Sequence, residues 1–175
     1  MASTALATSG VDMRKLILAT VMSFWMVASA SASPSQPRAA ETIVSLYKAY
    51  AWEAVIEQPD ESSAGLFQQP RSTLEKYFST HLAALILRDR QCQVRTGEVC
   101  RLDFSPIWAS QDPQATELEV IPTRNPSVVS VQFHYPGTNK TIKLIYTLSK
   151  TANGWRISDI QSQSWSLEKI LSAAQ

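Results

Sequence analysis

The stretch Val128-Val129-Ser130-Val131-Gln132-Phe133-His134-Tyr135, closed by Pro136-Gly137, decides the architecture. Its apolar residues at 129, 131, 133 and 135 alternate with small or polar ones, the period of a strand buried on one face. Pro136-Gly137 supplies a turn, and Thr141 to Ser149 repeats the alternation through Ile142, Leu144, Tyr146 and Leu148. A second turn at Asn153-Gly154 leads into Trp155 to Gln161, and Thr116 to Ile121 precedes the first stretch. About four consecutive antiparallel strands follow, with one apolar face that needs a cover.

The cover is encoded upstream. Ile43, Tyr47, Tyr50, Ala51 and Ala54 recur at helical spacing, which predicts an amphipathic helix from Glu41 to a stop near Gln58-Pro59. Asp60 to Gln69 reads as a polar loop. Ser72-Thr73-Leu74-Glu75 has the form of a capping box and starts a second helix, running through Tyr77, Phe78, Leu82, Leu85 and Ile86 to about Arg90. Leu167 to Leu171 predicts a short last helix capped by Ser164 or Ser166. Helices first and an antiparallel sheet afterwards define an α+β class, with N-terminal helices packed on the sheet.

Further out, Arg14-Lys15 precedes the apolar run Leu16 to Val27, and Ala28-Ser29-Ala30 and Ala30-Ser31-Ala32 offer two overlapping peptidase sites. This is the pattern of a cleaved signal peptide over residues 1–32, with Met13 an alternative start. The run is too short and too interrupted for a membrane anchor. No cysteine stands near the cleavage site for lipid attachment, so a free periplasmic or secreted protein is expected. Ser33 to Ala40 reads as a flexible leader, and residues 41–175 as one domain.

The signal peptide carries Asp12, Arg14 and Lys15, so the 16 basic and 15 acidic residues of the whole chain become 14 of each after its removal. Such a balance provides no basic face for nucleic acid. Arg88, Arg90, Arg95 and Arg101 do gather around the two cysteines, and read as the solvated rim of a helix end and loop. Cys92 and Cys100 are the only cysteines; in an oxidising compartment such a pair is expected to form a disulfide. They lack the spacing of a redox or metal motif, and neither His81 nor His134 has a ligand neighbour at i+2 to i+4, so no metal or cofactor is expected.

The segments Ile43 to Tyr50 and Leu74 to Leu87, then Leu102-Asp103-Phe104-Ser105-Pro106-Ile107-Trp108 with Gln111-Asp112 behind it, and last Gly154-Trp155-Arg156-Ile157-Ser158-Asp159-Ile160, resemble domain-of-unknown-function family 3828. That family comprises exported proteobacterial proteins of the nuclear-transport-factor-2-like or cystatin-like cone fold. The resemblance implies a curved sheet, an envelope location and no established reaction. It also implies that the Asp103 to Asp112 residues line the mouth of the cone beside the end of the second helix.

Two sets of residues are candidates for function. Asp103, Trp108, Gln111 and Asp112 combine a flat apolar ring with polar groups that orient a ligand or peptide; the plainer and favoured reading makes the aspartates turn stabilisers. Asp159 shares strand parity with Trp155 and Ile157, and would be a catalytic base if its carboxylate entered the cavity. Pairing with Arg156 or a backbone donor is the expected alternative. No GxSxG, Cys-His pair or phosphate-binding glycine loop is present. The leading expectation is a non-catalytic module binding an envelope protein, peptide or small ligand, as a monomer or weak dimer. A small cone-fold enzyme and an immunity protein against a periplasmic toxin are the alternatives.

Overall fold

Period-2 alternation becomes a single antiparallel sheet of four strands in the order β1-β2-β3-β4: β1 (Thr116–Pro122), β2 (Val128–His134), β3 (Thr141–Thr151) and β4 (Gly154–Gln161). The computed structural model describes residues 38–55 and 64–173. The expected signal peptide, residues 33–37 of the leader and the helix stop at Gln58-Pro59 lie outside the described residues. Val129, Val131 and Phe133 of β2, Leu144, Tyr146 and Leu148 of β3, and Ile157 and Ile160 of β4 are buried on one face. Tyr135 falls just past β2, where its carbonyl accepts the Thr138 N–H in the turn.

Two irregularities interrupt the ladder. The β1–β2 register shifts between Thr116 and Glu119, where Glu117 takes φ 54°. The β3–β4 register shifts between Thr147 and Leu148, which pair with Asp159 and Ile157, so Ser158 is an extra residue on β4. An extra residue inverts the alternation beyond it. Ile160 therefore takes the inward position after Ile157, and the expected shared parity of Asp159 with Ile157 does not hold.

Helix α1 spans Ala39–Tyr50 and starts before Glu41. The Glu41 carboxylate accepts the backbone N–H of Arg38 at 3.1 Å, and Ala39 is already buried, so the last residues assigned to the leader belong to the domain. A 3-10 turn, Ala51–Ala54, continues it. Within the segment read as polar loop, Leu66–Gln68 forms another 3-10 turn, because Leu66 is fully buried and anchors it.

The expected second helix is two helices, α2 (Arg71–Tyr77) and α3 (Thr80–Thr96). Pro70 occupies the N-cap of α2 and Ser72 lies inside its first turn, so the capping box does not form. The cap that matters is Ser79, whose hydroxyl accepts the Leu82 N–H at 3.2 Å. Between them Phe78 is extended (φ −97°, ψ 152°), fully buried, and bridges in parallel to Ile157, while Ser79 N–H donates to the Ile157 carbonyl at 2.8 Å. Burying the ring and pairing with β4 outweigh one more helical turn. Helix α3 runs past Arg90 to Gly97, whose φ of 73° provides a left-handed cap with its N–H on the Gln93 carbonyl. Finally α4 (Leu167–Ser172) is capped by Ser166.

The core lies between helices and sheet. Ile43 and Leu46 of α1, Leu74 of α2, Leu82 and Ile86 of α3, and Leu167 and Leu171 of α4 are almost wholly buried. Each such side chain contributes about 1.5–3 kcal/mol on burial.

Candidate functional site

Glu53 follows α1 in the 3-10 turn, at the edge of the apolar stripe, and is half-buried. Its Oε1 accepts the Leu66 N–H at 2.6 Å and its Oε2 the Ser105 hydroxyl at 3.4 Å. Gly65 permits this approach, since a Cβ there would stand 3.2 Å from Glu53 Oε1. Burial pushes the carboxyl above its ordinary 4.5, and the bonds from Leu66 and Ser105 oppose that only in part. The Trp108 indole N–H also favours the charged form, as the smallest of these causes, and is buried without a hydrogen-bond partner among the described residues.

Glu53 opens onto a cleft of about 560 Å³ between the 65–68 turn, α3 and the 102–111 segment. Helix α3 presents Asp89 and Gln93 to it. Asp89 is buried, and its carboxylate accepts the Arg101 N–H at 3.0 Å and the Gln93 amide at 3.2 Å; the same Gln93 amide donates to the Leu102 carbonyl at 3.1 Å. On the rim the Gln111 amide donates to Asp103 at 3.0 Å. Among the described residues, the charged ones lining the cleft are Glu53, Asp89, Glu98 and Asp103 against Arg90, whose guanidinium is bound to the Gln69 carbonyl at 2.7 Å.

Of the residues singled out from sequence, Asp103 and Gln111 meet in this cleft. Trp108 and Asp112 do not line it. Trp108 is 3 % exposed and packs edge-on against Tyr47 and Phe133, with ring centroids 5.1 and 5.5 Å away; it is core. Asp112 is exposed and enters the Ser110 turn through its backbone, its N–H donating to the Ser110 hydroxyl at 3.1 Å. Ala109 turns the chain between them at φ 51°.

Asp159 is occupied as a cap for α4. Its carboxylate accepts the Ser166 hydroxyl at 2.9 Å, the Glu168 N–H at 2.9 Å and the Gln161 amide at 2.7 Å. Arg156 does not pair with it but donates to the Glu75 carbonyl at 2.7 Å. The expected backbone donor is present and the inward-facing base is not.

Deeper in, Tyr47 donates its hydroxyl proton to the Ile107 carbonyl at 2.7 Å, which leaves the Tyr146 hydroxyl, also at 2.7 Å, to donate to Tyr47. Burial holds both phenols well above the ordinary tyrosine value, so the pair stays protonated. Cys92 and Cys100 form the expected disulfide, with Cα atoms 6.1 Å apart. His81 and His134 lie at the surface near Glu168 and Glu117, at 3.6 and 3.8 Å. Among the described residues no three His, Cys, Asp or Glu group as metal ligands, and no helix is long and apolar enough to cross a membrane.

Sequence reasoning missed Glu53, which belongs to no motif, and the part played by Ser105 within the 102–108 segment; the fold joins the two across 52 residues. No family model, no curated protein and no solved structure matches the chain.

Proposed function

We propose that the chain is an exported, non-catalytic binding module of the envelope, a nuclear-transport-factor-2-like cone related to domain-of-unknown-function family 3828. Its ligand is a small amine, or the cationic group of a peptide or envelope protein, held in the Glu53 cleft. The observation that carries this reading is Glu53 itself: a half-buried carboxyl with a raised pKa, facing a cleft whose described walls carry four acidic residues and one basic residue. A cation there would supply the charge compensation that burial withholds. The Cys92–Cys100 bond is compatible with an oxidising compartment. The enzyme alternative loses its nominated base, because the Asp159 carboxylate is engaged by three donors at the α4 cap.

The test is native mass spectrometry of protein purified from periplasm, followed by titration with a panel of primary amines and cationic peptides. Retained mass or saturable binding is expected, weakened about tenfold or more in Glu53→Gln, the effect of losing a charged hydrogen-bond partner. Binding should strengthen as pH rises from 4.5 through the raised Glu53 pKa. Cation binding indifferent to Glu53→Gln, or no binding by any panel member, would remove the proposal.

A further inference from the structure

Helix α3 lines two separate clefts. Ile86, Asp89, Arg90 and Gln93 turn to the Glu53 cleft, while Arg88, Gln91, Cys92 and Arg95 fall on the opposite side of the helix and line a separate cleft of about 370 Å³ with Arg101 and Ser172. Arg88 and Arg95 are seven residues apart, two helical turns along one face. Arg101 comes from the loop beyond Gly97 and is fixed beside them in two ways: Cys100 is bonded to Cys92 of α3, and the Arg101 N–H is held by Asp89.

Three arginines thus line one cleft, with no carboxylate among the described residues that line it. The loop's own acid, Glu98, lines the other cleft, and Asp89 reaches the Arg101 backbone from the far side of the helix. Arg38 and Arg71 find carboxylates at 3.5 and 3.2 Å, whereas none of Arg88, Arg95 and Arg101 forms an ion pair among the described residues. Arg88 is partly engaged, donating to the Leu171 carbonyl at 2.8 Å, and Arg95 also complements the C-terminal dipole of α3. Neither interaction neutralises the charge. Like charges gathered in one concavity repel unless an anion joins them, and planar guanidinium forks match the oxygens of a phosphoryl group.

We infer that Arg88, Arg95 and Arg101 form a binding site for a phosphoryl anion, assembled by the Cys92–Cys100 disulfide and independent of the Glu53 cleft. The anion is either free phosphate or pyrophosphate, or the phosphate of a lipid headgroup, and two arms of one experiment separate them. Calorimetry with pyrophosphate measures the first; co-sedimentation with phosphatidylglycerol vesicles against phosphatidylcholine vesicles measures the second. Saturable binding is expected in at least one arm, weakening with added salt. In that arm Arg95→Gln and Arg101→Gln should each reduce affinity about tenfold or more, while Arg124→Gln at a distant turn leaves it unchanged. Both altered side chains are at least partly exposed, and circular dichroism verifies that the variants fold. Reducing the disulfide should weaken binding in the same arm. No binding in either arm, or binding that survives Arg95→Gln and Arg101→Gln, overturns the site; binding unchanged on reduction overturns its assembly by the disulfide.

Discussion

Tyr47 and Tyr146 occupy the same buried hydrogen-bond chain but are not equivalent. Tyr47→Phe leaves both the Ile107 carbonyl and the Tyr146 hydroxyl without a partner, and should cost about 2–4 kcal/mol. Tyr146→Phe removes only the donor to Tyr47 and should cost about 1 kcal/mol. Urea denaturation of the two variants checks the order, and equal losses would contradict the assigned direction. Glu53 gives a pH-dependent counterpart. Its folded pKa is raised, so its contribution to stability is full below 4.5 and is lost as pH rises through the folded value. Melting temperature against pH should therefore be flatter above pH 4.5 in Glu53→Gln than in the parent, and an unchanged slope would dissociate Glu53 from the acid response. Asp159→Asn should weaken the α4 cap by about 0.5–2 kcal/mol, read as a lower melting temperature. Little of this residue-level detail was legible beforehand. A single acid at the edge of a helical stripe carries no motif, and its environment comes from Leu66 and Ser105, which only the fold delivers.

At the scale of elements, strands were more legible than helix boundaries. The alternation at 129, 131 and 133 and at 142, 144, 146 and 148 directly records a sheet buried on one face. The break between α2 and α3 leaves no such trace, because Leu74, Phe78 and Leu82 keep the helical spacing of four straight through it. Periodicity reports burial and is blind to the one residue that leaves helical dihedrals. The bulge at Ser158 is hidden for a related reason: neither Gly nor Pro marks it, yet it moves Asp159 out of register with Ile157. The importance of the break is testable. Phe78→Ala removes a fully buried ring that joins two helices to β4, and should destabilise by about 3–5 kcal/mol in chemical denaturation. A loss below about 1 kcal/mol would mean that the Ser79 cap, rather than the ring, sets the junction.

For the whole molecule, the helices-then-sheet order and the Cys92–Cys100 bond were both readable from sequence, since each depends on local pattern or spacing. The second face of α3 was not, because the sequence places Arg88, Arg90, Arg95 and Arg101 in one cluster and only the longer helix divides them, turning Arg90 away from the other three. Closing the short Cys92–Cys100 loop should contribute about 2.5 kcal/mol, measured as the stability lost in a Cys92→Ser, Cys100→Ser double variant. A double variant as stable as the parent would confine the bond to positioning Arg101.

The bridges from Phe78 to Ile157 and from Gln161 to Ser166 cover β4 at two points of its outer margin. Among the described residues the β1 side is the less covered margin, and there Glu117 and Glu119 discourage recruitment of further strands with charge and a kinked backbone. Two copies meeting there would pair through the same margin on each, as a closed, two-fold pair. Propagation into a fibril requires two such margins per molecule, and the short excursion at Phe78 occupies part of one of them.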